Sequence, residues 1–255
     1  MFVLLAVTKK IQNLSEFEAW EQNLPEVTNV PRSILDEVKY FSDFAFNVYS
    51  ASTETNSRVI ADKMNISEED LILENICQPE EENYCPKFVF LVDEKSRNLI
   101  LTVRGTKSIG DCLLDLVCDD SPFLTGEAHS GILRGARELW TLVSASVVSA
   151  VTLYPDYDLI LTGEISQRSE TTEIRLVLGH SLGGGLAVLL AMELLSGDKL
   201  LGSQTIRCFA FAPPPVFRNL SQVPESVRSQ ISIIINNHDS IPRTSLGTRS
   251  LISIH

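Results

Sequence analysis

The chain has 255 residues, 44% hydrophobic and 21% charged, which is enough apolar material to bury the core of one α/β domain. Its formal net charge is −12, from 21 Lys and Arg against 33 Asp and Glu. This balance argues against a basic nucleic-acid interface and against charge-driven binding to anionic lipid. The odd number of cysteines, without a C-x-x-C pair, argues against a zinc site and a complete disulfide framework, so we expect reduced intracellular thiols. They are Cys77, Cys85, Cys112, Cys118 and Cys208.

The chain begins with a short apolar stretch, residues 1–7, which runs into Lys9 and Lys10. The stretch has no basic residue before it and is too short to span a bilayer, so it fits neither a signal peptide nor a membrane helix. We therefore expect an intracellular protein whose membrane association would be local and hydrophobic.

Residues 1–86 are predicted to form an N-terminal helical and acidic excursion. Ser33 is typical of an N-cap, and apolar residues of the following stretch share one helical face, which indicates a helix packed on a sheet. These residues are Ile34, Leu35, Val38, Phe41, Phe44, Ala45 and Val48. Residues 51–86 are polar and acidic, and we expect them to run over the surface.

Strands and helices alternate after residue 86. Two apolar runs at 88–92 and 99–103, joined by a polar turn, predict a pair of strands, and the apolar stripe of 132–151 predicts a helix. Further short strands are predicted at 157–161, 207–212 and 232–236. The alternation favours an α/β fold whose central sheet is mainly parallel, with helices on both faces.

The most informative motif follows another apolar run, at 174–178. Residues 179–183 read G-H-S-L-G and lead into a helix-forming stretch rich in Leu and Ala. A strand, a sharp turn and a helix are the context of a G-x-S-x-G nucleophile elbow, which lifts a serine hydroxyl clear of the sheet. Both glycines are expected because a Cβ would collide where strand and helix converge. Ser181 is therefore the candidate nucleophile, and a glycine-rich helix entry with a surface serine is the alternative.

A serine nucleophile also needs a carboxylate and oxyanion donors. Asp239 follows the strand predicted at 232–236 and is the candidate triad acid, with an Asx-turn before a proline as the alternative. The amide of Leu182, directly after the serine, is one candidate oxyanion donor. The amide of Thr106, just beyond the strand predicted at 99–103, is the other.

The general base is harder to assign, because the chain has four histidines. His180 and His238 adjoin the nucleophile and the acid in sequence, where neighbouring side chains diverge. His129 precedes both of them, which breaks the Ser, Asp, His order of α/β-hydrolases. His255 follows Asp239 but is the last residue and is poorly anchored. The simpler interpretation is that this chain ends before the catalytic histidine.

Five segments occur in the same order as in the class 3 lipases, and most resemble the sn-1-specific diacylglycerol lipases. They are LTVRGTKSIGDCLLDLVCDD, EAHSGILRGARELW, IRLVLGHSLGGGLAVLLAMELL, RCFAFAPPPVF and IINNHDSIPR. The resemblance runs from about residue 88 to residue 243. It implies an α/β-hydrolase fold and a serine acylhydrolase that cleaves a glycerolipid ester, diacylglycerol being favoured, through an acyl-enzyme.

The resemblance also implies roles for individual residues. Ser181 would be the nucleophile and Asp239 the acid, while the amides of Thr106 and Leu182 would form the oxyanion hole. Asp115 is similar to the aspartate that steadies the hydroxyl of the oxyanion residue; an exposed helix carboxylate is the alternative. The His-x-Gly at 129–131 matches a structural motif of the family, which supports excluding its histidine as the base.

Two features depart from the family pattern. Diacylglycerol lipases carry transmembrane helices before the catalytic domain, and their catalytic histidine lies well downstream of the acid. Residues 87–255 are therefore expected to be a lipase-like core truncated at its C-terminus, from a fragment or a shorter homologue. A catalytically incomplete scaffold that binds lipid or a partner is the alternative function.

The resemblance bears on cofactors and partners as well. The chemistry requires no cofactor, and calcium is suggested by the resemblance alone, since the acids at 68–70 and 80–82 are interpreted as solvated carboxylates. The expected partner is a glycerolipid at a membrane or lipid surface. Part of a lid is expected between residues 107 and 128, where apolar residues such as Phe123 would face lipid; a buried helix is the alternative.

Overall fold

The computed structural model describes residues 30–51, 56–75, 87–105, 120–163, 182–197 and 204–235. The helices in chain order are α1 (Arg32–Ala51), α2 (Ser57–Met64), α3 (Ser130–Leu153), α4 (Leu182–Ser196) and α5 (Glu225–Arg228). The strands are β1 (Leu71–Glu74), β2 (Phe88–Asp93), β3 (Asn98–Val103), β4 (Asp120–Phe123), β5 (Gly126–His129), β6 (Asp158–Gly163), β7 (Ile206–Phe211), β8 (Phe217–Arg218) and β9 (Ile231–Ile234).

The main sheet has the strand order β1-β2-β3-β6-β7-β9. Strands β3, β6, β7 and β9 are parallel, β2 pairs with β3 in the antiparallel direction, and β1 pairs antiparallel with β2 at the edge. The carboxyl ends of the four parallel strands meet at one edge, where open α/β sheets bind their ligands. The predicted mainly parallel sheet is confirmed.

Helices cover the sheet on both faces, as predicted. Side chains alternate along the strands, so Val89, Ile100 and Phe209 pack with α1 and α2 in one core. Their neighbours Phe90, Leu101 and Cys208 pack with α3 and α4 in the other. Strands buried on both faces need continuous apolar runs, which explains why the sequence signal of β2, β3 and β6 was strong.

The described part of residues 51–86 contains regular structure that sequence analysis did not predict. Asn56 caps α2 by accepting a hydrogen bond from the amide of Arg58 (2.9 Å), and Asn65 ends the helix in a left-handed conformation (φ 58°). β1 then pairs with β2 at the edge of the sheet. Helix α1 begins at Arg32, one residue before the predicted cap. The domain boundary at residue 86 stays a prediction.

A second, three-stranded sheet has the order β4-β5-β8. The described end of the 107–128 region, where part of a lid was expected and a buried helix was the alternative, is a β-hairpin. Residues 107–119 lie outside the described residues. Phe123 is buried in the hairpin against Phe217, with ring centroids 6.1 Å apart, so it does not face lipid. Among the helices described, none is both long and apolar enough to cross a bilayer.

Candidate active site

One of the predicted site residues, Leu182, lies within the described part of the chain. Ser181, Asp239, Thr106, Asp115 and His255 lie outside it. The structure nevertheless describes the elements to which the first four are attached: α4, β9, the end of β3 and the start of β4. The geometry of these elements is what bears on the predicted site.

Helix α4 begins at Leu182 and is buried along its first three turns, from Leu182 to Met192. A helix that is apolar on all sides belongs in the interior, and α4 packs against α3 and the strands β3, β6 and β7. Its first turn contains three successive glycines, Gly183 to Gly185. Glycine is unfavourable in a helix, so three in one turn are expected only where neighbouring atoms leave no room for a side chain.

At Gly183, the backbone at the end of β3 leaves no room for a side chain. A Cβ at this position would lie 2.3 Å from the carbonyl oxygen of Val103 and 2.8 Å from both the carbonyl carbon of Arg104 and the amide nitrogen of Gly105. These are backbone atoms, which cannot swing away as a side chain would. The first turn of α4 is therefore in backbone contact with the carboxyl end of β3.

Gly163 makes the corresponding contact from β6. Its Cβ would lie 2.4 Å from the carbonyl carbon and oxygen of Gly183 and 2.7 Å from the nitrogen of Gly184. Sequence analysis missed this residue, because it assigned the strand of the elbow to 174–178, which lies outside the described residues. The sequence feature that could have indicated Gly163 is its place at the end of the apolar run of β6.

Gly185 completes the packing of the first turn. Its Cβ would lie 2.9 Å from Cγ1 of Val216 and 3.4 Å from Cγ2 of Ile132. The start of α3 and the segment after β7 therefore converge on α4 at the same edge of the sheet. These contacts gather the carboxyl ends of β3, β6 and β7 around one helix N-terminus.

His129 is held in a structural position. It is fully buried, its Nδ1 accepts a hydrogen bond from the amide of Ile132 (3.3 Å), and its own backbone amide donates to the carbonyl of Val216 (3.0 Å). The side chain thus caps α3. This role agrees with the exclusion of His129 as a catalytic base.

The described acidic and cysteine side chains outside this edge of the sheet form neither a metal site nor a nucleophile. In the described ranges there is no group of three or more His, Cys, Asp or Glu side chains that could hold a metal ion. Glu68 and Glu69 are exposed at the surface. Burial raises the pKa of the Cys208 thiol far above its ordinary value, which makes this β7 residue a core side chain and a poor nucleophile.

Comparisons with known proteins agree with this arrangement. The model of the family "Lipase (class 3)" matches residues 164–248. Mouse diacylglycerol lipase-beta is 30% identical over 167 residues, which are 62% of this chain and 22% of that protein. The chain is related to the class 3 lipases. It spans about a fifth of the length of this diacylglycerol lipase.

Solved structures of lipases share the fold. Lipase II from Rhizopus niveus superposes with a TM-score of 0.62 at 19% identity, over 84% of this chain and 76% of that one. A triacylglycerol lipase whose catalytic centre is a serine protease triad gives a TM-score of 0.59 at 20% identity, over 84% and 75%. The α/β-hydrolase fold expected from the resemblance is confirmed.

Proposed function

We propose that the protein is a serine acylhydrolase that cleaves a glycerolipid ester, with diacylglycerol the favoured substrate. Ser181 attacks the ester carbonyl, the alcohol leaves with a proton, and the acyl group stays on the serine oxygen. Water then attacks the acyl-enzyme and releases the fatty acid. The observation that carries the proposal is the backbone contact between the first turn of α4 and the end of β3, made through Gly183.

This contact supports an oxyanion hole formed by the amides of Leu182 and Thr106. Leu182 precedes Gly183 in the chain, Thr106 follows Gly105, and bonded neighbours lie about 3.8 Å apart between Cα atoms. The amides in the first turn of a helix have no intrahelical acceptor, so the N-terminus of α4 can donate to a developing oxyanion. We assign Asp115 the supporting role that the family resemblance implies.

We assign the triad acid to Asp239. It follows β9, which pairs with β7 up to Phe211 and Ile234, so the chain leaves the sheet at the same edge that holds the start of α4. His129 caps α3 and is not assigned as the base, and His255 is the histidine of this sequence that follows Asp239. A carboxylate is needed to orient the base, whichever histidine supplies it.

The proposed substrate follows from the relatives. The mouse relative is named for diacylglycerol, and one structural neighbour is named as a triacylglycerol lipase; both lipids are glycerolipid esters. We propose that the protein works inside the cell at a membrane or lipid surface. A serine triad requires no cofactor, and we assign calcium no step in the chemistry.

Covalent labelling tests the proposal. In a version of the protein that contains the catalytic histidine, a fluorophosphonate probe should react, and peptide mapping should place the adduct on Ser181. Ser181→Ala should abolish labelling, whereas the matched change Ser196→Ala, at the exposed end of α4, should leave it intact. A folded protein that contains the catalytic histidine and does not react, or an adduct on another serine, contradicts the proposal.

Two further variants assign the remaining roles. Asp239→Asn should slow labelling on the order of a hundredfold or more, because the base loses its orientation. If His255 is the base, His255→Ala should have a similar effect; unchanged labelling excludes His255 as the base. Release of fatty acid from diacylglycerol, monoacylglycerol and phospholipid in mixed micelles should then rank diacylglycerol first.

A further inference from the structure

The chain leaves β6 and enters α4 at almost the same point in space. Gly163 is the last residue of β6, buried, and in register with Val103 of β3 and Ala210 of β7. The place of its absent Cβ is occupied by backbone atoms of Gly183 and Gly184, at 2.4 to 2.7 Å. Gly163 and Leu182, the described residues that flank 164–181, therefore lie close together.

The gap is short enough for two residues to bridge. A Cβ lies about 1.5 Å from its Cα, so the Cα of Gly163 is within about 4 Å of the carbonyl carbon of Gly183, and within about 9 Å of the Cα of Leu182. Three successive peptide links reach about 10 Å. His180 and Ser181 alone could thus connect Gly163 to Leu182.

The sheet position beside α4 is already filled. β6 pairs with β3 from Asn98 to Val103 on one edge and with β7 on the other. The apolar run at 174–178 cannot occupy that central position between β3 and β7. Joining Gly163 to His180 would nevertheless keep the motif, since the chain would read strand, Gly-His-Ser-Leu-Gly and helix.

We propose that β6 is the strand of the nucleophile elbow, that Gly163 is its strand-side glycine, and that residues 164–179 are an insertion dispensable for both the fold and the chemistry. The place of Gly163 beside Gly183 requires a residue without a Cβ. A direct link would hold Ser181 in a turn of two residues between a buried strand and a buried helix. The catalytic part of this inference rests on the proposed function.

A deletion of residues 164–179, joining Gly163 to His180, tests the inference. The melting temperature should equal or exceed that of the full chain, because a long loop closure is removed. Labelling of Ser181 by a fluorophosphonate should be on the order of tenfold faster, because the serine is held in one geometry. Loss of cooperative unfolding, or slower labelling than in the full chain, overturns the inference. With the catalytic histidine present, a folded deletion variant and full chain that both fail to react leave the strand assignment standing and refute the proposed function instead.

Two glycine variants of the full chain give an independent test. Gly163→Ala should lower the melting temperature by at least about 5 °C, because the new methyl group meets backbone atoms. Gly179→Ala should change it by less than about 2 °C. Equal losses in the two variants, or a larger loss for Gly179→Ala, would assign the strand-side position to Gly179 and overturn the inference.

Discussion

The two faces of the main sheet are packed in opposite ways. On the α4 face, Gly163, Gly183 and Gly185 lack side chains. The backbone of α4 therefore contacts the strand ends and nearby side chains directly at the carboxyl edge of the sheet. On the α1 face, large rings fill the space, and Phe41 stacks on Phe209 with centroids 4.7 Å apart. The first face fixes the position of a helix N-terminus; the second buries apolar surface.

The polar contacts of the α1 face fit the same distinction. The Tyr40 hydroxyl donates to Oδ2 of Asp93 (2.7 Å), and Arg207 Nη1 donates to both carboxylate oxygens of Glu37 (3.0 and 3.1 Å). These bonds attach α1 to β2 and β7, far from the carboxyl edge at which α4 begins. Substitutions on the α4 face should therefore disturb chemistry and stability together, whereas those on the α1 face should change stability alone.

The largest effect is expected for Gly183→Ala. The added methyl group meets the carbonyl oxygen of Val103 and the backbone of Arg104 and Gly105, so the helix must move away from β3. We expect a loss of about 3 kcal/mol or more in the free energy of unfolding, measured in urea, together with loss of Ser181 labelling. Gly197→Ala, whose Cβ would lie 3.2 Å from the Glu193 carbonyl oxygen, is the matched control and should cost less than about 1 kcal/mol. If the Gly183→Ala variant is as stable and as reactive as the control, the claim that glycine contacts on the α4 face fix the helix N-terminus is wrong.

Phe41→Ala should come next. It removes the ring that stacks on Phe209 and leaves a cavity, which should lower the free energy of unfolding by about 3 kcal/mol. The rate of Ser181 labelling per folded molecule should not change, because the carboxyl edge is untouched. Leu35→Ala, on the same helix but 42% exposed, should cost less than about 1 kcal/mol. A labelling rate that falls with Phe41→Ala would show that the two faces are coupled.

A pH dependence is expected from Tyr40. Burial, reinforced by the hydrogen bond to Asp93, raises the pKa of Tyr40 from 10.0 to about 12, so the folded protein favours the neutral phenol. The unfolded chain loses this proton nearer pH 10, and the stabilisation present below that pH declines as the pH rises towards 12. Urea unfolding between pH 9 and pH 11.5 should show this decline, and Tyr40→Phe should reduce its slope. An identical slope in both proteins would contradict this assignment.

A smaller effect is expected for Glu37→Gln. Its carboxylate accepts from Arg207, whose side chain is 26% exposed, and half-exposed pairs of this kind contribute less than about 1 kcal/mol. The loss in unfolding free energy should shrink further at high salt. Asp156→Asn, which removes the more exposed pair with Arg97 at 3.8 Å, should cost still less. A loss above about 2 kcal/mol for Glu37→Gln would mean that α1 depends on polar contacts more than on its rings.

The sequence predicted the elements with long apolar patterns and missed the short ones. β2, β3, β6 and α3 follow from runs or stripes that burial requires. α2, β1 and the strands of the β4-β5-β8 sheet are short, and partners distant in sequence stabilise the strands. The apolar runs at 159–161 and 174–178 look equally strand-like in sequence. Only sheet pairing and the contact of Gly163 with Gly183 show that the first one lies against α4.

The central claim is that the serine at the start of α4 stands at the ends of β3 and β6, with two backbone donors beside it. A crystal structure of the fluorophosphonate adduct tests it most directly. The account predicts the phosphorus on the oxygen of Ser181 and a phosphonyl oxygen within about 3 Å of the amide nitrogens of Thr106 and Leu182. An adduct whose phosphonyl oxygen is remote from both amides, or a Ser181 turned away from the end of β6, would contradict it.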